Sequence, residues 1–130
     1  SLIFDTPIDI EHIEAVNHKD GTKRNEIHAA WGNALHQIGN LIILERETNR
    51  SIKNERYIEG KLPIYRKSKF RIVKKQAEDF PVWDMVSCNV RKERETDKML
   101  RYLFAGNNTN LQNECGGKTE THAGPNNLAF

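Results

Sequence analysis

An acid beside a histidine, Glu11-His12, and two asparagines nine residues apart, Asn40 and Asn49, carry the chemistry open to this chain. Hydrolysis of a phosphodiester needs a water to lose its proton, a departing sugar oxygen to be stabilised and the phosphate to be held in line. A neutral imidazole, with an unperturbed pKa of ~6.5, suits the first task. Mg²⁺ or Mn²⁺ suits the second, and both ions take carboxylate, amide-carbonyl and water oxygens. His12 is therefore the candidate general base, Glu11 and Asn49 the candidate metal ligands, and Asn40 the residue that would orient the histidine or its loop. Asp9 is a second carboxylate that could replace Glu11.

These groups need elements that bring them together. A strand is expected after Pro7, with Ile8, Ile10 and His12 on one face and Asp9, Glu11 and Ile13 on the other. Glu11 and His12 can meet one phosphate only if the strand ends or bends at His12. Asp20-Gly21 marks a turn. The spacing of Ile27, Ala30, Trp31, Ala34, Leu35 and Ile38 predicts an amphipathic helix of about three turns, stopped by Gly39. Leu41–Leu44 reads as a short buried strand. A helix is expected from Thr48 or Asn49 as N-cap, through Ile52 and as far as Tyr57, until Gly60 and Pro63 break it. Ile64–Glu78 reads as a basic helix. Val82–Phe104 reads as a longer one, with Trp83, Val86, Val90, Leu100 and Phe104 turned inward. The sum is an α+β fold: a two-stranded ribbon and helix forming the site, with additional packed helices. Residues 1–105 form the expected domain, and the Asn- and Gly-rich residues 106–130 a loosely ordered polar tail.

Composition bounds the function. At 130 residues with 37% apolar and 29% charged side chains, the chain fits one globular domain with a modest core. The net charge of +2 is unremarkable, but Lys61, Arg66, Lys67, Lys69, Arg71, Lys74 and Lys75 follow one another with no acid between them. Such a cluster suits a polyphosphate backbone, because each neutralised phosphate releases condensed counterions. Lys61, Arg66, Lys67 and Lys69 are the candidate nucleic-acid contacts. Cys88 and Cys115 form no CxxC pair, which argues against a zinc ribbon and suits a reducing, cytoplasmic location. No apolar run is long enough to span a membrane. His18, His28, His36 and His122 read as surface or half-buried histidines, and Trp31 and Trp83 as core anchors. A first residue of Ser in place of Met points to a piece of a longer protein.

The pattern of Glu11-His12-Ile13, a middle Asn40 and a later Asn49 resembles the HNH branch of the ββα-metal (His-Me finger) nucleases. It is most similar to the C-terminal HNH domain of GmrSD-type restriction proteins. The matching positions are His12-Ile13, Trp31, Gly39-Asn40-Leu41-Ile42-Ile43-Leu44, Asn49, Lys61, Tyr65 and Ser68, with Trp83 and Arg91 beyond. Two positions depart from the pattern: Ala15 stands where a proline is expected, and Glu11 where HNH enzymes commonly carry Asp. The resemblance implies a metal-dependent DNA endonuclease, the effector end of a phage-defence protein. An upstream nucleotide-binding, modification-sensing domain would be its partner, and the Ssp systems carry a similar nuclease end. An RNase of the same fold, or a nucleic-acid-binding module without turnover, would share these residues.

Overall fold

A computed structural model of the chain describes residues 6–105. Pro7 precedes strand β1 (Ile8–His12), which pairs antiparallel with β2 (Leu41–Glu45), Ile8 opposite Glu45 and His12 opposite Leu41. Ile42 and Leu44 of β2 are buried, as is Glu11 opposite Ile42. The face carrying Glu11 is therefore the core face, because directly paired residues project to one side of a sheet. β1 ends at His12, and the chain bends at Ile13 and Glu14, the irregularity that the placement of Glu11 and His12 required. Five helices complete the described residues: α1 (Asn25–Trp31), α2 (Arg46–Ile52), α3 (Leu62–Tyr65), α4 (Arg71–Asp79) and α5 (Met85–Ala105). The fold is α+β, a ribbon with packed helices. Its core joins Ile13, Leu35, Ile42, Leu44, Tyr57, Tyr65, Val73, Phe80 and Trp83.

Several boundaries differ from those the sequence predicts. The first helix stops at Trp31, where Gly32 takes φ +53°, and the chain goes on as 3₁₀ turns Gly32–His36 and Ile38–Asn40. The apolar spacing thus spans a helix and two turns. Gly39 serves close approach instead of stopping a helix: a Cβ there would lie 2.6 Å from the Cys88 carbonyl oxygen of α5. Asn49 caps nothing. It sits inside α2, which begins at Arg46 directly after the strand.

Gly60 and Pro63 do not break a helix either. A π-turn (Tyr57–Lys61), in which the Lys61 N–H reaches the Arg56 carbonyl, runs straight into α3 with Pro63 in its first turn. Proline is tolerated there because first-turn amides have no intrahelical partner. The basic helix expected over Ile64–Glu78 is interrupted by Ser68, whose hydroxyl accepts the Phe70 N–H, so α4 starts at Arg71.

α5 also departs from expectation. It packs through Cys88 and Arg91 against the Ile38–Asn40 turn, leaving Val86, Val90, Leu100 and Phe104 exposed. The buried face carries an arginine, Arg91, beside Cys88. Trp83 is buried as expected, ahead of the helix, stacked on Tyr57. No helix among the described residues is long and apolar enough to cross a membrane. The expected polar tail, with Cys115 and His122, lies outside the described residues.

Candidate active site

His12, Glu11 and Asn49 border one cleft of about 270 Å³, together with Ile10, Val16, Asn17, Gly21, Lys53 and Asn54. β1 delivers the first two residues and α2 the third. The His12 imidazole is half-buried, and its Nε2 lies 3.1 Å from Nδ1 of His36. Burial lowers its pKa below the usual imidazole value, aided by the His36 ring and the Lys61 ammonium, which favours the neutral, basic form. His36, expected as a surface or half-buried histidine, is exposed and is also a neighbour of the candidate base. Antiparallel pairing of His12 with Leu41 could have found it, because residues just before Leu41 must then lie beside residues just after His12.

Glu11 is 2% exposed. One carboxylate oxygen accepts the Tyr65 hydroxyl and lies 3.7 Å from the Lys61 ammonium, while the other, Oε1, is buried with no hydrogen-bond partner. Burial pushes the carboxyl up to about 7, against the opposing pull of Lys61 and the Tyr65 hydroxyl. The Tyr65 hydroxyl is held well above its ordinary value by burial and by Glu11. Asn49 donates from Nδ2 to Asp9 at 3.2 Å, and its Oδ1 is a second buried oxygen without a partner. Asp9 is taken up by that bond and by Arg46 at 3.1 Å, which together hold its carboxyl below the usual range.

Two orphaned oxygens, on a carboxylate and an amide bordering one cleft, are the donors that a hard divalent cation takes. Among the described residues no three His, Cys, Asp or Glu side chains are grouped to hold an ion. Mg²⁺ does not need such a group, since it keeps several waters and takes one or two protein ligands plus substrate phosphate. The donors present fit that ion.

Asn40 does not touch the His12 ring. Fully buried, it accepts the Glu14 N–H (2.8 Å) and the Trp83 indole N–H (3.0 Å) and donates to the carbonyls of Glu14 and Leu35. It therefore ties the loop after His12 to the turn before β2. The same loop is held by Arg24, buried, which donates to Glu14 (2.6 Å) and to the Ala15 carbonyl (2.7 Å). Arg91 donates to the carbonyls of Ile38, Gly39 and Leu41, fixing the turn that carries Asn40.

Lys61 requires a correction. Expected to contact phosphate, it is 0% exposed and its ammonium donates to the His12 carbonyl at 2.5 Å. Burial lowers its pKa, opposed by Glu11. Desolvation by the core keeps it from any backbone in solvent. Lys61, Tyr65 and Ser68 all bind the ribbon instead, at His12, Glu11 and Glu45 in turn.

Arg66, Lys67 and Lys69 are exposed. Lys67 and Lys69 line a cleft of about 600 Å³ at the other end of the ribbon with Arg46 and Arg50. A third cleft carries Arg50, Lys53 and Asn54, and the last two also border the cleft at His12. Clefts that carry these basic side chains, with Glu45, Glu47 and Glu55 among them, thus adjoin from Lys67 and Lys69 to the cleft at His12.

A ribbon whose first strand ends on an imidazole, followed by a helix bringing an amide to the same cleft, has a layout compatible with the ββα nuclease type. The chain belongs to the family of GmrSD restriction endonucleases, C-terminal domain, which matches residues 1–94. Comparison with curated proteins and comparison with solved structures each gave no match.

Proposed function

We propose that this domain is a divalent-metal-dependent DNA endonuclease of the HNH type. The observation that carries the reading is the shared cleft of His12, Glu11 and Asn49, with one unpartnered oxygen on each of the last two. In this reading His12 takes the proton of the attacking water. Its lowered basicity relative to free imidazole keeps it neutral and ready to accept near pH 7. Glu11 Oε1 and Asn49 Oδ1 would hold Mg²⁺ or Mn²⁺. When bound, such an ion would neutralise charge developing on the departing sugar oxygen. Lys61 and Tyr65 keep Glu11 in place from the core side, and Asn40 holds the loop that follows the base. The clefts along α2, with Lys67, Lys69, Arg50 and Lys53, support a nucleic-acid strand as substrate, because phosphate contacts fix register ahead of the reacting centre.

The family supports an effector role in a restriction protein. An upstream nucleotide-binding, modification-sensing domain and a cytoplasmic setting complete the proposal. The test is cleavage of supercoiled plasmid with Mg²⁺ or Mn²⁺ against EDTA, with parallel RNA. We expect metal-dependent nicking or linearisation of DNA that His12→Ala and Asn49→Ala abolish. Equal cleavage by wild type and His12→Ala, or cleavage undiminished by EDTA, refutes it.

A further inference from the structure

We infer that His36 is a positioning residue: it holds the His12 imidazole by Nε2 and so fixes Nδ1 as the nitrogen with the free electron pair. The inference rests on His12 being the general base.

The two rings meet edge to face, their planes 88° apart and their centroids 5.1 Å apart, with His12 Nε2 and His36 Nδ1 at 3.1 Å. That is a hydrogen-bond distance for in-plane nitrogens. A neutral imidazole has one N–H and one lone pair, so one ring must donate and the other accept. Free neutral imidazole side chains favour the hydrogen on Nε2. With both rings in that form, His12 Nε2–H donates to the His36 Nδ1 lone pair, and the exposed His36 keeps its own Nε2–H for solvent. His12 Nδ1 is then left basic. In the reverse arrangement His36 Nδ1–H would donate to His12 Nε2, leaving a proton on His12 Nδ1 and no base.

The place of His36 is itself fixed. It ends the 3₁₀ turn Gly32–His36, beside the fully buried Leu35, whose carbonyl accepts from Asn40. The same asparagine binds both backbone groups of Glu14. Asn40 thus fastens the chain after His12 to the chain before His36, and the two imidazoles meet as a result. Of the two roles the sequence left open for Asn40, holding the loop or the histidine, its bonds to Glu14 match the first, and contact with the ring falls to His36.

The test uses the 130-residue chain, ¹⁵N-labelled, with long-range ¹H–¹⁵N correlation of the imidazoles where both are neutral. His36→Asn retains an acceptor oxygen as many bonds from the backbone as Nδ1, whereas His36→Phe retains a ring without an acceptor. The exposed position makes both variants compatible with the fold. We expect His12 as the Nε2–H tautomer in wild type and His36→Asn, and a mixture of tautomers in His36→Phe. Plasmid cleavage with Mg²⁺ should fall about 10- to 100-fold in His36→Phe and be largely restored in His36→Asn. A wild-type His12 protonated on Nδ1, or an unchanged His12 tautomer in His36→Phe, overturns the inference whatever the cleavage. Undiminished cleavage by His12→Ala instead removes the base itself, and the positioning role falls with it.

Discussion

Replacing Lys61 by methionine keeps a long side chain in the core and removes the cation that faces Glu11 at 3.7 Å. In the wild type burial already pushes Glu11 up to about 7, with the ammonium and the Tyr65 hydroxyl restraining it. Without the ammonium the carboxyl moves higher still. A folded-state value raised above the unfolded one gives stability that is whole below the unfolded value, ~4.3, and is lost as pH rises through the folded value. The wild type completes that loss near pH 7. The variant goes on losing stability above it, so the difference between the two grows with pH.

At pH 5.5 Glu11 is protonated in both folded proteins, and the variant loses the hydrogen bond to the His12 carbonyl, which costs about 1–3 kcal/mol. At pH 8 a buried carboxylate without its cation brings the cost to about 3–5 kcal/mol. Against a total stability of ~5–15 kcal/mol that is a large fraction. Urea unfolding at the two pH values reads the difference directly, provided the m-value is unchanged. Adding Glu11→Gln to Lys61→Met removes the titrating group and should recover the pH-dependent part. Equal destabilisation at both pH values would refute the argument.

Three further outcomes are expected. Asn40→Ala strands the Trp83 and Glu14 N–H groups and two carbonyls in the core, and should cost about 3 kcal/mol by denaturant midpoint. Asn40→Asp keeps the accepting oxygen but sets a second acceptor against the Glu14 and Leu35 carbonyls, and should also destabilise. Gly39→Ala drives a Cβ to 2.6 Å from the Cys88 carbonyl and should lower stability by about 1–3 kcal/mol, with α5 displaced in hydrogen exchange. Lys67→Ala and Lys69→Ala should weaken DNA retention and flatten its salt dependence, the slope falling by ~0.9 for each phosphate no longer neutralised. Unaltered slopes would take the strand path away from the cleft at Lys67 and Lys69.

The ribbon was legible because two signals agreed: a proline followed by β-branched residues, and a short apolar run after Gly39. The end of β1 at His12 is also an expectation the fold meets, since Glu11 and His12 can serve one phosphate only if the strand stops or bends there. Helix limits were less legible where tertiary contacts override local cues. Asn49 looks like a cap by type, yet α2 starts at the strand end, so the residue becomes an inward-facing amide. Gly60 and Pro63 look like breakers, yet a π-turn absorbs the glycine and the first turn of α3 takes the proline. The α5 apolar stripe looked like core because Val86, Val90, Leu100 and Phe104 share a spacing, while the buried contact is made by a guanidinium on three carbonyls. Lys61 misled for a related reason. A lysine in a basic run reads as surface, and only Glu11 and the His12 carbonyl, distant in sequence, explain its burial. His36 was invisible to spacing because its partner lies 24 residues away.

The tether from Lys61 to the His12 carbonyl has one more implication. Since the ammonium is wholly enclosed, dissolved ions cannot screen its hold on the backbone, whereas they readily screen exposed lysines. Raising ionic strength would then slow capture of a polyanion while leaving the alignment of an already captured one intact. Added salt should act on KM and spare kcat.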